Sequence, residues 1–147
     1  MASLLDRFYD RVRDPASRAA ADESRTVQGF AHLGAHKYCT LVSYRRDGEP
    51  VATPVWFGLQ AGTVYVRTDA TAAKVRRIRA DPRVRVAPAN ARGRPLGPAA
   101  EGRARVLSDP AEEARAEEAL QANYGLGRKA YERVGAAHGV YLEITPA

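Results

Sequence analysis

The sequence has 147 residues, of which 45% are hydrophobic and 27% charged, and its formal net charge is +6. This length fits one domain, and we expect no membrane span because no apolar run approaches the ~20 residues that a membrane helix needs. The single cysteine, Cys39, excludes an internal disulfide and fits a reducing cytoplasm, where we expect the protein because its charged first residues do not resemble a signal peptide.

The N-terminal residues predict a helical arm. Apolar side chains recur at loosely helical spacing over residues 3–22, with a break at Pro15. We assign residues 1–26 to this arm and residues 27–147 to one folded domain. The first apolar segment of that domain, residues 27–33, predicts a short helix that ends at Gly34.

The next part of the chain changes to the two-residue period of β-strands. Residues 37–44 alternate with apolar side chains on both faces, which predicts a strand covered on two sides. Asp47-Gly48 then predicts a tight hairpin, in which both central residues need positive φ. Strands at residues 51–59 and 63–68 follow, so this region predicts an antiparallel meander belonging to a small sheet or barrel.

The remaining elements alternate between helices and strands. They are a short helix, two strands, a longer helix and a last strand, at residues 70–80, 83–87, 99–107, about 110–124 and 140–145. Asp109, Pro110 and Glu112 form a strong helix start, with a cap, a first-turn proline and an acid at the third position. A further short helix is expected just before the last strand. The pattern therefore predicts a mainly β protein with helices, in the α+β class.

One predicted strand contains an unexpected proline. Pro54 lies in the stretch Ala52-Thr53-Pro54-Val55-Trp56, beside the only tryptophan of the chain. Proline cannot donate to a strand ladder and belongs on an edge, at a strand start or at a bulge. Backbone that is left out of the ladder can face a ligand, so a flat aromatic cofactor is one interpretation. The other interpretation is that the tryptophan belongs to the core.

A second candidate site lies where the third strand of the meander gives way to a helix. The start of a helix offers backbone N–H groups and a positive dipole end to an anion. Lys74 can reach back over such an anion, Thr68 can donate its hydroxyl, and the small Ala72 allows close approach. The alternative is a solvated basic helix that the carboxylate of Asp69 caps.

Other site classes find no support in the sequence. His32 and His36 are four residues apart, but no third ligand lies near them, and His138 is distant, so we predict no metal site. Motifs of nucleotide hydrolysis and of serine nucleophiles are absent. The net positive charge favours an acidic partner, but we expect no nucleic-acid binding because the sequence contains no recognisable nucleic-acid-binding module.

From about residue 31 to residue 146 the chain resembles the pyridoxamine 5′-phosphate oxidase-like split β-barrel flavoproteins. Within that group it is most similar to the branch of F420-dependent oxidoreductases, which use a deazaflavin. The segments that carry the resemblance, in matching order and spacing, are KYCTLVSYRRDGEPVATPVWFGL, KVRRIRADPRV, AP, GRPLGPAAEGRARVL and VYLEIT. The resemblance implies a split β-barrel of about six antiparallel strands. It also implies a homodimer with two cofactor sites at the subunit interface.

The resemblance also implies which residues bind the cofactor. The backbone of the strand that contains Pro54 would lie along the tricyclic ring, and Thr68 and Lys74 would hold the cofactor phosphate. The full predicted set comprises Ala52, Thr53, Pro54, Val55, Trp56, Thr68, Ala72, Lys74 and Arg77. No catalytic residue is assigned, because hydride transfer between stacked rings needs little from side chains.

The choice of cofactor depends on two alanines. Relatives that bind FMN commonly have an arginine before the phosphate-binding lysine and a basic residue early in the ring-facing strand. This chain has Ala73 and, approximately, Ala52 at those places, which favours F420 over FMN. The phosphate and acidic oligoglutamate tail of F420 would suit the positive charges of Lys74, Arg77 and Arg45.

The resemblance thus implies an F420-dependent reductase that passes a hydride from the C5 atom of the ring to a conjugated small molecule, such as a quinone, an enone or a tetrapyrrole. The acceptor's proton would come from water, Tyr44 or Tyr65. The alternatives are an FMN-binding flavoprotein of the same fold and a carrier that binds a flavin or F420 without turnover.

Overall fold

The computed structural model describes residues 15–124 and 139–147. Strands in this part of the chain are β1 (Thr26–Val27), β2 (Tyr38–Tyr44), β3 (Pro50–Gln60), β4 (Thr63–Asp69), β5 (Arg83–Ala89), β6 (Ala99–Val106) and β7 (Gly139–Pro146). The α-helices are α1 (Ala73–Ala80) and α2 (Pro110–Tyr124), and short 3₁₀ helices occupy Pro15–Ala21 and Ala31–Leu33. No helix among these residues is long and apolar enough to cross a membrane.

Six of the strands close into an antiparallel barrel. The order in the sheet is β1-β6-β5-β2-β3-β4-β7, and β7 returns to pair with β6. The short β1 is an addition that runs parallel to β6. This arrangement confirms the predicted split β-barrel of about six antiparallel strands, including the meander of β2, β3 and β4.

The barrel interior is filled by one face of each strand, as the two-residue period predicts. Its side chains include Leu41, Val55, Phe57, Val64, Val66, Val84, Val86, Leu142 and Ile144. Cys39 is fully buried among them, and this burial raises the pKa of its thiol. The structure therefore gives Cys39 a packing role.

The N-terminal region differs from its prediction. Residues 27–33 do not form one helix, because Val27 pairs with Ala100 in β1 and only Ala31–Leu33 is helical. Within the predicted arm, residues 15–26 are described, and they include the 3₁₀ helix Pro15–Ala21 and the first residue of β1. Residues 1–14 of the arm and the short helix expected before the last strand lie outside the described residues.

The turn at Asp47-Gly48 also differs from its prediction. Gly48 has φ +89°, but Asp47 does not share a positive φ, so the prediction for that turn is wrong. The turn is longer than a two-residue loop, since Arg45 N–H donates to the carbonyl of Glu49 at 2.9 Å. The loop between β3 and β4 instead has positive φ at both central residues, Ala61 (51°) and Gly62 (79°).

Helix α2 begins as predicted and lies against the outside of the barrel. The N–H of Glu112 donates to the Asp109 carboxylate at 3.1 Å, which is the expected cap. The helix packs on β3, β4 and β7. Contact is closest at Gly58, where a Cβ atom would lie 2.4 Å from the backbone of Ala119. A side chain at residue 58 would therefore push the helix off the sheet.

Candidate functional site

The barrel is split beside Pro54. Strand β3 pairs with β2 from Pro50 to Trp56, but the described pairing with β4 covers only Phe57–Gln60. If the β3–β4 register continued, Thr68 would pair with Val55, but the described β3–β4 ladder ends at the pair Phe57 and Val66. Pro54 thus lies in the half of β3 that has lost one neighbour, which is where a strand tolerates proline. The split separates the predicted ring-facing stretch from the predicted phosphate-binding stretch.

The two faces of the ring-facing stretch have different surroundings. Ala52 is buried in an outer cluster with Ala20 and Val42. Pro54 is packed beneath Gly93, where a Cβ atom would lie 3.2 Å from the proline Cβ. These two outward-facing side chains therefore make packing contacts within the chain.

Trp56 keeps part of its surface exposed. Its ring meets the ring of Tyr38 edge to face, with centroids 5.9 Å apart and planes at 75°. The tryptophan is half-buried, so it is not a core residue. It offers an aromatic surface at the end of the half-strand that has lost its neighbour.

Thr53 and Val55 point the other way, into the barrel. Val55 belongs to the main core. Thr53 is 7% exposed, and its Oγ1 has no hydrogen-bond partner among the described residues. An unsatisfied buried polar group costs about 1–3 kcal/mol, so such an atom calls for an additional partner. The polar edge of a bound ring would suit it. No residue pattern in the sequence indicates this unpaired hydroxyl.

The residues predicted to bind the phosphate lie together at the start of α1. Thr68 and Ala72 are 4% and 1% exposed, and Ala72, the N-cap residue, gives no side-chain cap. The Asp69 carboxylate accepts the N–H and the hydroxyl of Thr71, at 2.7 and 2.6 Å, before the helix begins. The acid therefore closes the preceding turn.

Lys74 is not on a solvated face, contrary to the alternative considered from the sequence. It is 3% exposed, and it shares the inward side of α1 with Val75 and Ile78. Residues four apart lie on one face of a helix, so burial of Ile78 brings Lys74 inward with it. A buried ammonium needs acceptors or an anion close by. Lys74 already has an interaction within the protein, and a cofactor phosphate at the start of α1 would add to it.

Arg77 lies one turn further along α1. It is half-buried, and its Nε donates to the Ser43 hydroxyl on β2 at 2.8 Å. It lines a cleft of about 510 Å³, whose other lining residues are Tyr44, Arg45, Arg46, Arg76, Ala80 and Asp81. The structure thus brings Arg77 and Arg45 to one cleft, and it adds Arg46 and Arg76. The sequence analysis missed these two because runs of arginine usually mark solvated surface.

The two tyrosines considered as proton sources occupy different surroundings. Tyr65 packs under α2 in a cluster with Leu107, Ala116 and Ala119. Tyr44 lines the arginine cleft, with the Arg83 guanidinium 4.1 Å from its ring centroid. Burial raises the pKa of both phenols, so both stay protonated at neutral pH. Tyr44 reaches a cleft, but it lies at the end of β2 opposite Tyr38, which pairs with Trp56.

Within residues 15–124 and 139–147, no group of three or more histidine, cysteine or acidic side chains is arranged to hold a metal ion. The Nε2 atom of His32 is 3.0 Å from the carbonyl oxygen of Pro98, a structural contact. His138 lies outside the described residues.

Several solved structures share this fold. A structure described as a putative pyridoxamine 5′-phosphate oxidase from Listeria innocua is 24% identical, with a TM-score of 0.55 over 79% of this chain and 88% of that one. An FAD-binding protein from Mesorhizobium loti is 20% identical, with a TM-score of 0.59 over 78% and 82%. The heme storage protein HutZ from Vibrio cholerae is 12% identical, with a TM-score of 0.59 over 76% and 82%. At these identities the likeness establishes the fold.

Family membership follows from the sequence itself. No curated protein matches the chain. A family model described as pyridoxamine 5′-phosphate oxidase, however, matches residues 26–147, which is all of the chain except the first 25 residues. The chain belongs to the pyridoxamine 5′-phosphate oxidase family.

Proposed function

We propose that the protein is an F420-dependent oxidoreductase that reduces a conjugated small molecule such as a quinone, an enone or a tetrapyrrole. The observation that carries this proposal is the arginine cleft, which begins at Arg77, one helical turn from the buried Lys74. A cofactor with one phosphate and no further charge would use the lysine but not the cleft. F420 continues from its phosphate into an acidic tail, so it would use both.

The residues of the site divide the binding between them. Lys74 and Thr68 would hold the phosphate at the start of α1, where the helix dipole also favours an anion. Thr53 would supply a buried hydroxyl to the polar edge of the ring, and Trp56 an aromatic surface beside it. When bound and reduced, F420 would supply the hydride, so the main contribution of the chain is orientation and charge.

Water is our candidate for the proton that the acceptor needs. Tyr44 lines the cleft that would hold the tail, and it pairs with Pro50 at one end of β2, whereas Tyr38 pairs with Trp56 at the other end. A proton from Tyr44 would therefore be released away from the ring. Tyr44→Phe should leave the rate of F420 oxidation unchanged, and a large loss of rate would assign the proton to the tyrosine.

The activity can be tested directly with reduced F420 and menadione as the quinone. We expect oxidation of reduced F420 to depend on both the protein and menadione. The return of the absorbance of oxidised F420 measures this oxidation. Reduced FMN under the same conditions is the matched control. Turnover with reduced FMN but not with reduced F420 would reject the proposal in favour of an FMN enzyme.

Two other functions use the same site. An FMN-binding flavoprotein would place the FMN phosphate on Lys74 and leave the arginine cleft unused. A carrier without turnover is the second alternative, and the shared fold of the heme storage protein HutZ is the observation that favours it. Protein that binds F420 stoichiometrically but reduces no acceptor would support the carrier.

We also propose that the protein is a homodimer whose two subunits complete the cofactor sites. The half-strand beside the split, the half-buried Trp56 and the exposed Leu96 (56%) offer surface for a partner. Light scattering at micromolar concentration should then report twice the 16.0 kDa of one chain. A mass of 16.0 kDa would show a monomer and contradict the shared cofactor site.

A further inference from the structure

Residues 15–25, which we call the strap, pack against the barrel but lie outside the part of the chain that the family model matches. The match begins at residue 26. The strap contains the 3₁₀ helix Pro15–Ala21, followed by a turn in which the Asp22 carboxylate accepts the N–H and the hydroxyl of Ser24 at 3.0 and 2.6 Å. It is therefore a defined structure, and it comes from outside the family domain.

A buried arginine on β5 holds the strap in place. Arg85 is 1% exposed, although it points away from the barrel interior. Its Nε donates to the carbonyl of Ala20 at 2.9 Å, and its NH2 donates to those of Asp22 and Arg25 at 2.9 and 3.4 Å. The NH1 group is 3.3 Å from the carboxylate of Glu101. One guanidinium thus binds three backbone carbonyls of the strap. This is possible because the planar guanidinium carries five N–H donors.

The strap lies against the ring-facing stretch of β3. Ala20 packs with Ala52 in the outer cluster. Ser17 and Arg18 of the strap, with Arg45 and Glu49 of the hairpin between β2 and β3, line a pocket of about 190 Å³ that reaches Ala52. The strap is therefore one wall of a cavity beside a residue predicted to bind the cofactor.

This pocket adjoins the arginine cleft, because Arg45 lines both. Together the two neighbouring cavities, which we call the groove, are lined by five arginines from three parts of the chain, namely Arg18, Arg45, Arg46, Arg76 and Arg77. Its acids are Glu49 and Asp81, and Asp81 is already 3.4 Å from Arg83. Within the described residues, Arg18, Arg45 and Arg46 form no ion pair. So many like charges in one groove repel one another unless an anion binds.

We infer that the strap is a working part of the binding site: Arg18 forms one end of a groove for a chain of carboxylate groups, and Arg85 is the positioning residue that holds the strap there. The inference rests on the proposed function for its ligand, the acidic tail of F420. A chain of phosphate groups has similar chemistry, so the experiment includes both.

The first arm measures affinity for F420 and for its deazaflavin chromophore without phosphate and tail. Arg18→Gln should weaken F420 binding about three- to tenfold and make it less dependent on salt, because one charge-assisted contact is lost. Binding of the chromophore should not change. Arg79→Gln, which removes an exposed arginine of α1 that does not line the groove, is the control and should change neither affinity.

The second arm tests whether Arg85 acts through the strap. Arg85→Met should weaken F420 binding by about the same factor as Arg18→Gln, and the double variant should be no weaker than Arg85→Met alone. Trypsin should also cut the strap faster in this variant, while Arg85→Lys should restore part of the affinity. Independent, multiplying effects of the two substitutions would contradict the positioning role. If Arg85→Met does not fold, Arg85→Lys with Arg18→Gln completes the same cycle.

The third arm separates the groove from the cofactor assignment by using tripolyphosphate as the probe. If F420 does not bind but tripolyphosphate binds and is weakened by Arg18→Gln, the proposed function is wrong and the groove takes phosphate chains. If F420 binds and substitution of Arg18 or Arg85 does not change its affinity, the proposed function stands and the strap inference is overturned. If neither probe depends on Arg18, the groove is only a solvated surface.

Discussion

Replacing Lys74 with alanine should weaken F420 binding about ten- to a hundredfold. The lysine is 3% exposed at the first turn of α1, so its contact with a phosphate would be shielded from water. A charge-assisted hydrogen bond in such a place contributes roughly 1.5–3 kcal/mol, which corresponds to that loss of affinity. Binding should also become less sensitive to salt, and titrations at several ionic strengths measure both effects.

Burial of the lysine sets the controls for this prediction. Because alanine would also remove a buried aliphatic stem, Lys74→Met is the matched variant that keeps the stem and removes the charge. It should lose as much affinity as Lys74→Ala but less stability. Arg79→Ala, on the exposed side of the same helix, should have little effect on either. Equal and small effects of Lys74→Ala and Arg79→Ala would remove Lys74 from the site.

Replacing Gly58 with alanine should lower the free energy of unfolding by about 3 kcal/mol, the upper part of the range for overpacking. The new Cβ atom would lie 2.4 Å from the carbonyl carbon and oxygen of Ala119, and backbone cannot move aside as a side chain can. Denaturant titration would show a lower midpoint. Helix α2 would have to separate from β3, to which the Asn123 amide also donates a hydrogen bond, to the Phe57 carbonyl at 2.7 Å.

Gly34→Ala is the matched control for this substitution. Gly34 has an ordinary φ of −61°, and a Cβ atom there would meet its nearest neighbour at 3.4 Å. Its effect should stay within about 0.5 kcal/mol, as for most surface substitutions. If both variants unfolded at the wild-type midpoint, the close contact between α2 and β3 would be refuted.

The strands and the start of α2 could be predicted because their signals are local. Alternation defined the β-strands of the meander, and Asp109 with Pro110 defined the first turn of α2. The two-residue strand β1 could not be predicted, since Val27 becomes a strand residue only through its partner Ala100, far along the chain. Two residues carry no period of their own. The turn at Gly48 was mispredicted because loop length, which the dipeptide does not reveal, decides the turn type.

The candidate site was predictable only as a set of residues. The sequence indicated Lys74 and Thr68 as site residues. Nothing in the sequence distinguishes Lys74 from the basic arginines beside it, and only the packing of α1 shows that Lys74 is buried. Arg85 was one arginine among many. Its partners are backbone carbonyls about 60 residues away. Because every residue has a backbone carbonyl, the sequence does not show which ones an arginine will bind. The unpaired Thr53 hydroxyl likewise depends on neighbours that no local pattern specifies.

The most direct test of the central claim is a competition between F420 and FMN for the purified protein. In the proposed site, Ala73 precedes Lys74 and Ala52 lies in the predicted ring-facing stretch, so FMN would lack two phosphate ligands that FMN-binding relatives commonly have there. The arginine groove, in contrast, suits an acidic tail. We therefore expect F420 to bind at least tenfold more tightly than FMN, a difference of about 1.4 kcal/mol. Equal or tighter binding of FMN would contradict the account and assign the site to a flavin.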